Sequence, residues 1–167
     1  MILALRFIGL VASALVLGLA FCHVLELPGK MTLDGHEYIA VQQIYNTFGP
    51  VAAVLEPVAI IATAALAIVL RRRGWMFGLA VAAAVSLLAA LIAWFALVSP
   101  VNIHWAAPPS TMPTNWQSLR DRWEYGHIVH AVLVFAGFVL LTVSILMDTR
   151  PARVMRSVRD NGGRRAA

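Results

Sequence analysis

Cysteine is nearly absent from this chain. Cys22 is the only one in 167 residues, so no intramolecular disulfide can form and no thiolate cluster can hold a metal. Charge is scarce too. Asp, Glu, Lys and Arg make up 13% of the chain, about half of the rough quarter that keeps a soluble domain solvated, and the mean hydropathy is +0.79. No stretch alternates apolar and polar residues with a period of two, which excludes barrel strands. There is no internal repeat and no low-complexity linker. A water-soluble globular domain is therefore excluded by composition.

What is present instead is apolar length. Four blocks, residues 2–25, 50–70, 75–98 and 126–147, each reach about the 20 residues needed to cross a hydrocarbon layer ~30 Å thick. Backbone groups in lipid must be satisfied within their own segment, so the blocks are predicted to be helices. The expected fold is an all-α, integral-membrane, four-transmembrane-helix bundle forming one domain over 1–149, with helices over about 2–26, 50–70, 75–98 and 115–147. Pro28-Gly29 is expected to end the first helix. Asp34 with Glu37 reads as a helix start, and residues 36–48 are predicted to form a short interfacial helix whose Tyr38, Tyr45 and Phe48 suit the headgroup region. Pro57 should kink the second helix. Residues 99–113 read as a proline-bearing outer loop carrying Asn102, His104 and Trp105. Thr114 with Gln117 is a second capping pattern, opening a fourth helix of about 50 Å at 1.5 Å per residue.

The net charge of +5 invites a nucleic-acid reading, but the distribution of charge argues against it. Arg6, Arg71, Arg72, Arg73, Arg150, Arg153, Arg156, Arg159, Arg164 and Arg165 fall on one side of the bundle, leaving only Lys30, Arg120 and Arg122 of the 13 basic residues on the other. The positive-inside rule then predicts a multi-pass protein of the inner (plasma) membrane with both termini cytoplasmic. The basic tail 150–167, poor in apolar residues, is expected to be disordered and to face anionic lipid, with no nucleic-acid partner. The first block resembles a signal peptide in outline, but Phe21 before Cys22 is too bulky for a lipoprotein cleavage site, and retention as a helix is expected.

Under that topology the polar residues are one-sided. His23, His36, His104, His127 and His130 all lie in the outer half, with Glu26, Asp34, Glu37, Glu56, Asp121 and Glu124. Glu56 sits roughly 10 Å inside the second helix; a carboxylate there is costly unless paired or protonated, which makes it a functional candidate. The alternative is a structural carboxyl bonded to a neighbouring helix. His23 with Glu26, and Glu124 with His127, are i,i+3 pairs of the kind that aim carboxylate and imidazole into a bundle as metal ligands. With Glu56 they make a candidate metal set, although the third helix supplies no carboxylate and such pairs also arise by chance at helix ends. Trp116, Arg120, Trp123, His127 and His130 form one stripe on the fourth helix, predicted to face the bundle or the outer loops. Its plainer reading is interfacial tryptophans plus an Arg120–Glu124 ion pair.

The run His23-Val24-Leu25-Glu26-Leu27-Pro28-Gly29-Lys30, then Pro100-Val101-Asn102, then Trp116 and Arg120-Asp121-Arg122-Trp123-Glu124-Tyr125-Gly126-His127, resembles the bacterial branch of the anthrone-oxygenase-like membrane family. The resemblance covers nearly the whole chain. It implies a small four-helix protein that oxidises an anthrone-type molecule with molecular oxygen, with no established cofactor, and a shared site that includes Asn102, Trp123, Glu124 and His127.

Three functions remain open on the sequence. In the first, the chain is an oxidoreductase acting on a small lipophilic aromatic or quinol-type molecule. Glu56 or His127 would be the base and Arg120 or Asn102 the oxyanion stabiliser, with Glu124 in the same catalytic set. Trp105, Trp116, Trp123 and His130 would hold the substrate. In the second, His23, His127 or His130, with Glu26, Glu56 and Glu124, bind a metal or haem. In the third, the chain is a non-catalytic subunit or small-molecule binder whose polar residues lock the bundle.

Overall fold

The computed structural model describes residues 1–105 and 113–148. Its helices are α1 (Ile2–Lys30), α2 (Gly35–Gln42), α3 (Phe48–Leu70), α4 (Trp75–Ala93), α5 (Ser99–Trp105) and α6 (Trp116–Asp148). A 3₁₀ segment, Gln43–Thr47, joins α2 to α3, and a π turn, Trp94–Val98, joins α4 to α5. The result is four long helical rods, each long and apolar enough to cross a membrane, with no strand among the described residues. The chain is an all-α four-helix bundle, as its apolar blocks predict. The tail 150–167 and residues 106–112 of the expected outer loop lie outside the described residues.

The rods close into a ring in which α1 packs on α3 and α6, and α4 packs on α3 and α6. Three layers fill it. At the end near the 71–74 turn lie Leu66, Ala67, Leu70, Ala80, Ala83 and Leu141, and in the middle Ala12, Val16, Ala59, Leu87, Ala90 and Val134. At the other end is an aromatic layer of Tyr38, Tyr45, Trp105 and Trp123 with Ile39, Val98 and Val101. Half of the positions in the two inner layers are alanine, and large apolar side chains face outward: Leu3, Phe7, Ile61, Ile92, Val132 and Phe135 are all exposed. An apolar skin of that extent needs an apolar solvent, and small residues on the contact faces let helices approach where lipid removes the hydrophobic drive between them.

Three expectations are corrected. Pro28-Gly29 does not end α1, which continues to Lys30 and closes through Met31 N–H to Leu27 O at 3.0 Å. Proline removes one donor and crowds one carbonyl, a cost that a helix end with neighbours to gain can absorb. Residues 99–105 are helix, not loop. Pro100 lies in the first turn of α5, where its missing N–H is tolerated, and the preceding π turn absorbs its bulk. Pro100 would otherwise donate to the Ala96 carbonyl, and the Arg122 guanidinium donates there instead at 2.8 Å. Finally, Tyr38 and Tyr45 are not headgroup anchors; both are buried in the bundle, because their hydroxyls find carboxylates inside. The predicted start of α2 is present, with Asp34 and Glu37 forming a reciprocal capping box.

Candidate functional site

A half-enclosed cavity of ≈ 400 Å³ lies inside the bundle beside the aromatic layer. All four rods contribute to it. α1 supplies Val16, Ala20 and His23, the α2–α3 rod Gln42, Tyr45, Phe48, Ala52 and Glu56, the α4–α5 rod Leu91, Trp94, Asn102 and Trp105, and α6 Trp123, His127 and His130. The walls are mostly apolar and aromatic, with few polar groups, which is the composition of a small-molecule site.

The most consequential polar pair on that wall is between helices. His130 Nε2 and Glu56 Oε1 are 2.6 Å apart, and both side chains are buried. Sequence position brings each residue to the interior face of its own helix; only the packing brings the two together. With Glu56 ionised, Nε2 carries the hydrogen and donates it, and Nδ1 is left with a lone pair. That Nδ1 has no hydrogen-bond partner among the described residues. A carboxylate that fixes an imidazole tautomer in this way also stabilises the imidazolium formed when the free nitrogen takes a proton. Pro57 follows directly. Having no N–H, it leaves the Ala53 carbonyl without its helical donor, and both residues line the same cavity.

Behind the wall formed by His23, Tyr45 and Trp123 sits a second cluster, centred on Lys30, the only lysine of the chain. Its side chain is 3% exposed. The ammonium lies 3.3 Å from Glu26 Oε2, 3.5 Å from Glu124 Oε1 and 3.5 Å from His23 Nδ1, one acceptor for each of its three hydrogens. It also stands 4.3 Å from the centre of the Tyr45 ring and 4.9 Å from that of Trp123, within cation–π range. Tyr38 donates to Glu124 Oε1 at 2.9 Å, and Tyr45 donates to Glu26 Oε2. His127 stacks between the two clusters, its ring centre 4.0 Å from that of His23, 4.2 Å from Trp123 and 6.4 Å from His130.

The structure sorts the predicted site residues into two groups. His23, Glu56, Asn102, Trp105, Trp123, His127 and His130 line the cavity; Glu26, Glu124, Arg120 and Trp116 do not. Arg120 is held by Asp121 at 3.0 Å, reaches the Met31 carbonyl at 3.4 Å and lies over the Trp116 ring at 5.3 Å. It is therefore directed away from the cavity and does not reach an oxyanion there. The expected Arg120–Glu124 ion pair gives way to Lys30 and Tyr38 as the partners of Glu124. Asn102 accepts from Trp123 Nε1 at 2.7 Å through its carbonyl oxygen. The Trp123–His127–His130 part of the α6 stripe is buried against the bundle, as its spacing predicts.

The candidate metal set does not fit. Among the described residues, no group of three or more His, Cys, Asp or Glu side chains is arranged to hold a metal ion. Glu56 is engaged by His130, and the place between Glu26 and Glu124 where a cation would bind is filled by the ammonium of Lys30.

Lys30, Tyr38, Tyr45 and Gln42 are the residues that sequence reasoning missed. Among the described residues, four buried polar atoms of cavity-lining side chains have no hydrogen-bond partner: Gln42 Nε2, Trp105 Nε1, His127 Nδ1 and His130 Nδ1. Buried polar groups are normally satisfied, so four such atoms around one cavity mark it as a place where a ligand can complete the bonding. All four are covered by neighbouring atoms in this conformation. No family model, curated protein or solved structure matches the chain.

Proposed function

We propose that this chain is a multi-pass membrane oxidoreductase of the anthrone-oxygenase-like kind, acting on a small lipophilic aromatic molecule with an acidic C–H or O–H. The observation that carries the reading is the Glu56–His130 pair, 2.6 Å apart on the wall of a largely apolar cavity of ≈ 400 Å³. His130 Nδ1 is the base, and Glu56 holds its tautomer and offsets the imidazolium charge. For an anthrone-type methylene, one proton passes to His130 and the carbanion adds dioxygen to form a C–O bond. The proton on His130 passes to the terminal peroxide oxygen; loss of the second C–H proton then breaks the O–O bond, and the departing hydroxide takes up that proton as water, so that ArCH₂Ar and O₂ give ArC(=O)Ar and H₂O. The negative charge delocalised onto a substrate oxygen would be met by the amide and indole N–H groups of Gln42, Asn102 and Trp105. The charge asymmetry supports an inner (plasma) membrane protein with both termini cytoplasmic and the cavity toward the outer leaflet.

Purified protein in lipid should consume oxygen with anthrone or a related hydroxyarene. Glu56→Gln and His130→Gln should each lower the rate by roughly 10²–10⁴-fold, while saturable quenching of tryptophan fluorescence by the substrate persists. Wild-type rates in both variants would remove the assigned roles. A second reading, a non-catalytic binder, is favoured by one observation: the Lys30 ammonium has Glu26, Glu124 and His23 as acceptors within 3.5 Å behind the cavity wall, as a structural lock would. Quenching without oxygen consumption for any hydroxyarene would select it.

A further inference from the structure

The way into the cavity is written in which of its lining residues are exposed. Among the described residues that line it, four are exposed: Asn46, Gly49, Ala53 and Phe95. Three belong to the α2–α3 rod and one to the π turn after α4, and the lining residues on α1 and α6 are buried or only partly exposed. The mouth is therefore a slot between α3 and α4. It opens there because Gly49, Ala52 and Ala53 put almost no side chain on that edge of α3, and because the π turn interrupts the regular face of α4 opposite them. A Cβ built on Gly49 meets nothing within 4 Å, so this edge is open space and not a close helix contact.

The slot lies at lipid depth. Ala53 is 17 residues from the end of α3 at Leu70, and Phe95 is 20 residues from the start of α4 at Trp75. At 1.5 Å per residue these are about 26 and 30 Å from the 71–74 turn, against a hydrocarbon layer of ~30 Å. Small residues alone would say nothing about a ligand. Here the slot opens into the cavity lined by Gln42, Trp105 and His130, side chains each about 5% exposed whose Nε2, Nε1 and Nδ1 atoms have no hydrogen-bond partner among the described residues.

We propose that this slot is a lateral portal through which a planar hydroxyaromatic molecule dissolved in the bilayer reaches the Glu56–His130 pair, with Gly49 and Ala53 against Phe95 setting its width. The proposal rests on the functional reading above, since it takes the occupant from it.

The test uses protein reconstituted in phosphatidylcholine vesicles and 2-naphthol as the probe. Trp94, Trp105 and Trp123 line the cavity, so occupancy reads as saturable quenching of tryptophan emission, followed by stopped flow. Gly49→Leu and Ala53→Leu fill the slot from its open side. Helix propensity favours leucine over glycine, so the first variant should not lose thermal stability. The expected result is that association and release both slow by roughly tenfold in each variant while the equilibrium affinity changes little. Wild-type kinetics in both variants would overturn the portal and leave the binding reading intact. Loss of affinity at an unchanged association rate would also overturn it, making these residues part of the binding wall. Absence of saturable quenching in the wild-type protein would overturn the functional reading itself, and the portal with it.

Discussion

Lys30 has its ammonium among two carboxylates, an imidazole and two aromatic faces. Removing the cation would leave Glu26 and the fully buried Glu124 facing each other across the gap, and loss of one partner from a buried pair costs about 3–5 kcal/mol. Lys30→Met should therefore destabilise the bundle by about that amount, read as a lowered Tm in detergent, and Lys30→Met with Glu124→Gln should recover part of the loss. With Glu124→Gln also measured alone, a double-variant loss equal to the sum of the two single losses would mean that the two residues do not interact. The signal for Lys30 was present in the sequence. Residues 23, 26 and 30 lie on one helical stripe, with Glu26 and Lys30 an i,i+4 pair, but only if α1 is carried through Pro28-Gly29. Ending the helix there turns the lysine into a rim charge. Glu56 was legible because an intramembrane carboxylate needs a partner. Its partner was not, because 74 residues separate it from His130 and nothing local links them.

The helices were largely legible as lengths, since hydropathy and the ~20-residue crossing requirement fix them independently of packing. The joints were not. Pro100 in a proline-bearing stretch reads as loop, whereas the π turn before it lets α4 continue into α5 and carries Asn102 and Trp105 to the cavity. How closely the helices pack was equally hidden. On α6, a Cβ at Gly126 would come within 2.9 Å of Val98 Cγ2 and 3.0 Å of Leu97 Cβ, and one at Gly137 within 2.8 Å of Leu87 Cγ and 3.2 Å of the Ala83 carbonyl. These glycines set the α4–α6 distance. Gly126→Ala and Gly137→Ala should each cost roughly 1–3 kcal/mol through overpacking. Gly18→Ala, where nothing lies within 4 Å, should be neutral or stabilising by up to ~1 kcal/mol from helix propensity. Thermal melts of the three variants side by side check the contrast, and a uniform response would show that propensity, not contact, governs these positions.

At the scale of the molecule, the sequence predicts a one-sided object, and the ring of rods gives that asymmetry a physical form. Polar side chains gather beside the aromatic layer, while Leu66, Leu70, Ala80 and Leu141 seal the other end. Ring order and the α3–α4 slot could not be read from hydropathy, which reports how apolar a helix is and not which neighbour it chooses. Orientation in the membrane can be tested directly. In a Cys22→Ser background, Arg72→Cys should react with an impermeant maleimide only after the cells are opened, and Asp34→Cys should react in intact cells; the reverse pattern would invert the proposed topology. The sealed end also has an electrical consequence. Glu56 lies eight residues beyond the start of α3 at Phe48, about 12 Å along the axis, and a proton reaching it from the cavity side crosses less than half of a ~30 Å dielectric. At ~2.3 kcal/mol per elementary charge per 100 mV for a full crossing, the membrane voltage changes that step by about 1 kcal/mol at most. Water in the cavity reduces the figure further. A reaction at this pair would therefore run nearly independently of the cell's energisation, and the Leu66–Leu141 layer would keep it from dissipating the proton gradient.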